Sequence, residues 1–156
     1  MIRSATAADK PAILDVAVDS GLFPAEHVGD LADLMDAQLG AEADGHHWIV
    51  RAADDGQVLA AAYYAPEPLT DGTWNLYFIA VREAGKGQGI GSELLRHVES
   101  GLRQNRQRVL VIETSGLDGF ELTRRFYLKH GYSEEARIRD FYAAGEDKVV
   151  FWKGLA

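Results

Sequence analysis

Apolar and polar positions recur along this chain with two periods, and the switches between them mark its elements. Ile2-Arg3-Ser4-Ala5 predicts a short opening strand. Thr6 is a candidate cap for a helix from about Ala8 to Ser20, with Ile13, Leu14, Ala17 and Val18 on one face. Gly21 ends that helix and Phe23-Pro24 breaks the chain. Val28, Leu31, Leu34, Met35 and Leu39 then repeat at helical spacing up to Gly40, and acidic residues fill the opposite side of both helices. Strands are predicted at His46 to Ala53, Gln57 to Tyr64 and Trp74 to Val81, separated by the Asp54-Asp55-Gly56 turn and a loop holding Pro66, Pro68 and Gly72. A helix from about Gly91 to Gln104 turns Leu94, Leu95, Val98 and Leu102 inward, and the β-branched run Val109 to Thr114 reads as a buried strand. Phe120 to Lys129 is helical up to Gly131, and a hairpin of Glu134 to Tyr142 and Lys148 to Trp152 closes the chain around Gly145. The order β-α-α-β-β-β-α-β-α-β-β predicts a mixed α/β fold in a single domain spanning residues 1–156.

Composition narrows the chemistry. The chain has 156 residues and no cysteine, which excludes disulfides, Cys-ligated zinc, iron–sulfur clusters and a thiol nucleophile. Met1 leads into no basic start or apolar run of a signal peptide, and Val58 to Ala65 is too short to span a bilayer. A soluble, cytoplasmic protein without a membrane partner is expected. The formal net charge of −8 argues against a nucleic-acid partner. That charge is uneven, with −10 over residues 1–80 and +2 over residues 81–156. An anionic ligand fits the second half and a cationic one the first, although acidic loops that merely aid solubility give the same split. His46-His47 has no third ligand at metal spacing, so a surface turn and no metal are expected.

The segment Val81-Arg82-Glu83-Ala84-Gly85-Lys86-Gly87-Gln88-Gly89-Ile90-Gly91 carries the most chemical information. Glycines alternate between a strand and a helix, where backbone N–H groups and the helix N-terminus can converge on one phosphate. The spacing fails the dinucleotide fingerprint G-x-G-x-x-G, and Gly85-Lys86 is followed by Gly87 rather than the Ser or Thr of a P-loop. A glycine-rich bend that binds nothing is the bland alternative.

Lys86-Gly87-Gln88-Gly89-Ile90-Gly91 resembles the Gln/Arg-x-x-Gly-x-Gly/Ala motif of the GCN5-related N-acetyltransferases (GNAT). Tyr77-Phe78-Ile79-Ala80-Val81 looks like that family's central strand, and Ser92-Glu93-Leu94-Leu95 continues the motif into its helix. A second landmark, an aromatic-Tyr pair before a Gly-aromatic turn, stands as Phe126-Tyr127-Leu128-Lys129-His130-Gly131-Tyr132. The pattern is nearest to ribosomal-protein N-terminal alanine acetyltransferases. Three departures stand out: Lys86 replaces Gln or Arg, Glu83 replaces a frequent proline, and Ser115 to Gly119 lacks an Asn those relatives often carry. The resemblance implies a mostly antiparallel sheet flanked by helices, with acetyl-CoA as co-substrate. It also implies direct transfer to a primary amine of a peptide, protein or small molecule.

It further implies that Ile79, Ala80 and Val81 pair with the pantetheine arm, and that Lys86, Gly87, Gln88, Gly89, Ile90, Gly91 and Ser92 hold the cofactor phosphates. Tyr127 takes the place of the general acid; a phenol with an ordinary pKa near 10 is protonated at neutral pH and can donate to a departing thiolate. A core aromatic is the alternative. Glu113 interrupts an apolar strand near its C-terminal end, a position bordering ligand crevices in open α/β sheets. It matches the general base of the alanine acetyltransferases, and a solvated strand-end carboxylate is the alternative. Phe23, Asn75, Tyr77 and Tyr142 are candidates for the acceptor site, each with ordinary packing as its alternative. A non-catalytic acyl-CoA-binding module on the same fold remains open, and the late strands allow a homodimer.

Overall fold

The computed structural model describes residues 1–40 and 44–156. Its elements run β1 (Ile2–Ser4), α1 (Lys10–Asp19), α2 (Val28–Gln38), β2 (His47–Ala52), β3 (Val58–Pro66), β4 (Thr73–Val81), α3 (Ile90–Gln104), β5 (Val109–Ser115), α4 (Glu121–Lys129), β6 (Ser133–Ala143) and β7 (Glu146–Gly154). The predicted elements are all present, with boundaries shifted by no more than two residues. The chain divides into two compact units, Met1–Ala65 with Tyr77–Val98, and Pro66–Leu76 with Glu99–Ala156.

In the first unit β1, β2 and β3 pair antiparallel, Ile2 opposite Arg51 and Trp48 opposite Tyr63. Helices α1 and α2 cover one face of these strands. Ile13, Val16, Ala17, Leu31 and Met35 pack with Trp48, Val50, Ala61, Tyr63 and Ala80 in one apolar cluster. Val18 and Leu34, predicted to face inward, are 38% and 46% exposed; Val16 takes a place in the core of α1 instead. Before α1 a short 3-10 turn at Ala7–Asp9 replaces the predicted first helical turn. There the Asp9 carboxylate accepts from the Thr6 N–H at 2.8 Å and pairs with Arg3 at 2.7 Å, holding β1 to the start of α1. Two charge-assisted donors hold Asp9 down to a pKa of about 2, the Arg3 hydrogen bond being the larger cause.

In the second unit β4 and β5 run parallel, while β5 with β7 and β7 with β6 run antiparallel. The sheet is therefore mostly antiparallel, as expected. Helix α3 passes through both units; Ile90, Leu94, Leu95, Val98 and Leu102 are its buried apolar positions. Glu99 is also buried, on this same helix. A buried carboxylate needs partners, and Glu99 has them in the second unit: the Tyr132 hydroxyl donates to it at 2.6 Å and Lys153 Nζ at 3.0 Å.

Helix α4 ends on Gly131 at φ +88°, the left-handed conformation that a side chain resists. The Tyr132 N–H reaches back to the Tyr127 carbonyl and the Gly131 N–H to that of Leu128, both at 3.1 Å. The rings of Tyr127 and Tyr132 then meet with centroids 6.1 Å apart. The Gly-aromatic landmark read in the sequence is thus a helix stop that fixes the backbone beside Tyr127.

Candidate active site

The turn after β4 uses its glycines for different reasons. A Cβ on Gly85 would lie 3.1 Å from Ile90 Cδ1 and 3.3 Å from Val81 Cγ1, so close packing explains that glycine. Gly87 and Gly89 adopt φ of +78° and +79°, and a Cβ on either would meet no atom within 4 Å. These two glycines curl the backbone ahead of α3 and leave its surface open. The first bond back into the helix runs from the Glu93 N–H to Gly89 O at 2.9 Å. The amides of Ile90 and Gly91 therefore head the helix at its partially positive end.

Three contacts fasten this turn to the C-terminal part of α1. Arg82 pairs with Asp15 at 2.7 Å, the Glu83 N–H donates to Asp19 at 2.9 Å, and Lys86 Nζ donates to the Ser20 carbonyl at 2.5 Å. Lys86 also pairs with Glu83 at 2.8 Å. The ammonium expected to serve a phosphate is thus engaged in holding the turn, and Gln88 similarly donates to Ala84 O at 3.1 Å. Backbone amides are the part of the turn that can receive an anion.

In the second unit Asn75, Glu113 and Lys148 come from three adjacent strands. Asn75 is opposite Val111 and Lys148 is opposite Ser115, so both stand diagonal to Glu113 on one face of β5. Lys148 Nζ contacts Glu113 Oε1 at 2.6 Å, with the two side chains 14% and 18% exposed. Asn75 Nδ2 donates to Glu113 Oε2 at 3.2 Å and to Glu67 Oε1 at 2.9 Å. Two flanking carboxylates fix which way this amide is turned. The cost falls on Asn75 Oδ1, which is buried without a hydrogen-bond partner among the described residues, worth about 1–3 kcal/mol.

Phe141 lies over Lys148, with Nζ 4.1 Å from its ring centroid. Tyr142 stands beside it, and its phenol is pushed up to about 12 by burial first and then by the anions of Glu113 and Glu146. Asn75, Glu113 and Tyr142 are therefore brought into one neighbourhood, and Glu113 is a paired, largely buried carboxylate rather than a solvated one.

Tyr127 is also in the second unit. Its ring is 2% exposed and packs against Phe126 and Phe151 at 5.5 Å each. Burial pushes its phenol well above the ordinary value near 10, so it stays protonated throughout the neutral range.

The other acceptor-site candidates, Phe23 and Tyr77, fall in the first unit. Phe23 meets Phe78 edge-on at 6.4 Å, and Tyr77, 43% exposed, stacks on Tyr63 at 5.5 Å. Tyr63 stacks in turn on Trp48 at 5.0 Å, and its hydroxyl meets Gln38 Nε2 at 2.8 Å and His46 Nδ1 at 2.7 Å. His46 is thereby tied into an aromatic wall. Among the described residues no group of three His, Asp or Glu side chains converges as a metal site.

The family model for the acetyltransferase (GNAT) family matches residues 12–132. The chain belongs to this family. A GNAT-family protein of Desulfovibrio desulfuricans superposes with a TM-score of 0.91 and 34% identity, over 100% of this chain and 99% of that one. The ribosomal-protein-S18-alanine N-acetyltransferase of Escherichia coli superposes at 0.81 with 19% identity, over 100% of this chain and 94% of that one, a likeness of fold alone. An uncharacterized N-acetyltransferase of Methanocaldococcus jannaschii is 28% identical over 102 residues, covering 64% of this chain and 61% of that protein's length.

The turn presents open backbone at Gly87 and Gly89 beside the amides that head α3, a donor set of the kind the phosphates of acetyl-CoA would need. Sequence reading missed Lys148, Glu67 and Gln38. Lys148 carries no motif, and only the register of β5 and β7 shows that it lies diagonal to Glu113. A cation two residues from a strand end, in a hairpin next to a strand bearing one charge, was the sole signal.

Proposed function

We propose that this GNAT-family chain is an acetyl-CoA-dependent N-acetyltransferase of the cytoplasm that acts on a primary amine of a peptide, protein or small molecule. The observation that carries the reading is the open Gly87–Gly89 turn at the head of α3 in a chain of this family. Acetyl-CoA supplies an activated thioester. The amides of Gly87 to Gly91 receive its phosphates, and Ile79 to Val81 hold its arm as an added strand would. Glu113 takes the proton from the acceptor's nitrogen, whose lone pair forms the bond to the acetyl carbon. As the carbon–sulfur bond breaks, Tyr127 donates its hydroxyl hydrogen toward the sulfur. With its phenol raised by burial, Tyr127 acts first as a hydrogen-bond donor to the developing thiolate. With no cysteine in the chain, direct attack in a ternary complex is the simplest route.

The acceptor is a cation before it reacts, and the −10 balance of residues 1–80 favours its approach. A peptide N-terminus, as in the alanine acetyltransferases, is the first acceptor to try. Thermal unfolding with saturating CoA, acetyl-CoA and NAD tests the cofactor. Ligand at about 100 times its Kd stabilises by about 2.7 kcal/mol, and the expected shift occurs with both CoA forms and not with NAD. Thiol release is then followed with an alanyl peptide, spermidine and an aminoglycoside as amine probes. Stabilisation without turnover on any amine would favour the non-catalytic acyl-CoA-binding reading instead.

A further inference from the structure

We infer that Lys148 is a positioning residue for Glu113, fixing the carboxylate that receives the acceptor's proton. The inference rests on Glu113 being that base. Three observations carry it. Each oxygen of Glu113 is held by a donor from a different strand, Oε1 by Lys148 on β7 and Oε2 by Asn75 on β4. Lys148 is itself held, its ammonium against the Phe141 ring and its backbone opposite Ser115. Both members of the ion pair are largely buried, on the face of β5 that also bears Val109, Val111 and Ser115.

A buried ion pair adds little net stability over an apolar pair of similar volume, because desolvation offsets the attraction. What such a pair does supply is orientation. Glu113 has rotatable bonds between its backbone and its carboxylate, and a proton acceptor must stand within hydrogen-bond reach of the reacting nitrogen. Lys148 and Asn75 pin the two oxygens from opposite sides of β5, leaving each oxygen a further lone pair. Lys148 is well suited to this work, since its ammonium reaches one carboxylate oxygen of Glu113 while the Phe141 ring confines it.

The test is a double-mutant cycle read on kcat, KM and acetyl-CoA affinity. Variants are Lys148→Met, Lys148→Gln and Lys148→Arg, each alone and with Glu113→Gln. The nucleophile is the fastest of the three amine probes, or water when none of them turns over. Lys148→Met and Lys148→Gln are expected to lower kcat about 10-fold or more, while the acetyl-CoA Kd from calorimetry stays within about twofold. Lys148→Arg, which keeps the cation and donor, restores most of kcat. In the Glu113→Gln background the Lys148→Met change adds less than about twofold, because its action runs through the carboxylate.

Equal losses from Lys148→Met in both backgrounds would overturn the inference, as would a kcat unchanged by Lys148→Gln. The Glu113→Gln/Lys148→Met protein removes both charges and serves as the folded reference if Lys148→Met alone unfolds, with Lys148→Gln against Lys148→Arg then deciding the point. If Glu113→Gln alone leaves kcat intact, the reading of Glu113 as base falls, a result distinct from failure of Lys148.

Discussion

Gly89→Ala separates two roles that the turn before α3 combines. Gly89 sits at φ +79°, where an L-residue costs about 1 kcal/mol, and its new Cβ would meet nothing within 4 Å. The stability cost is therefore conformational and small, a fall of about 2–4 °C in Tm for a chain of this size. Gly56 in the β2–β3 turn has φ +89° and equally open surroundings, so Gly56→Ala supplies the same cost away from the turn. Only at Gly89 does the added methyl enter the surface proposed to receive a phosphate. Losing one charge-assisted amide bond costs about 1.5–3 kcal/mol, or about 10- to 100-fold in affinity. Differential scanning fluorimetry and calorimetric titration with acetyl-CoA read the two effects separately. Matched Tm losses with affinity lost only in Gly89→Ala support the cradle. Matched Tm losses with unchanged affinity in both would refute it.

Three further outcomes follow from the same structure. Asp9 has its folded pKa lowered to about 2, so its contribution is present above the unfolded value near 3.9 and fades as pH falls through about 2. The shift corresponds to about 2 kcal/mol before discount, and about 1 after allowing for an Arg3 side chain that is 37% exposed; Asp9→Asn should lose that at neutral pH and flatten urea stability between pH 4 and 2. Tyr127, Tyr132 and Tyr142 have raised phenols, so stability is full below about pH 10 and falls above it, and a Tm that holds level from pH 9 to 11 would contradict this. Phe151 is 1% exposed against Tyr127, and Phe151→Ala should cost about 3–5 kcal/mol in urea unfolding; a loss below about 1 would mean the packing around Tyr127 is loose.

The fold was legible because its elements are strongly periodic and its stops are chemically distinct. Gly131 could be read as a helix terminator, and the structure adds why an aromatic must follow it: Tyr132 packs back on Tyr127. Helix faces were harder, since Val18 and Leu34 are apolar yet exposed while Glu99 is charged yet buried. No period reveals that Tyr132 and Lys153, far along the chain, satisfy that carboxylate. In the candidate site, local chemistry marked Glu113 and the glycine turn, while Tyr127 was singled out by the family resemblance of its motif. The partners of Glu113 were invisible, because they depend on which residues of β4 and β7 fall diagonal to it, and register is a property of the assembled sheet. Lys86 shows the converse: a cation in the right motif whose ammonium the fold has committed to Ser20 and Glu83.

Every proposed residue role depends on this chain moving an acetyl group from acetyl-CoA to an amine. Mass spectrometry of amine probes incubated with acetyl-CoA and catalytic amounts of protein tests it most directly, with Tyr127→Phe alongside. One acetyl group is expected on nitrogen for each CoA released, with a large loss of rate in Tyr127→Phe while acetyl-CoA affinity is kept. Acetyl-CoA that binds tightly yet acetylates no amine, with wild type and Tyr127→Phe alike, would contradict it.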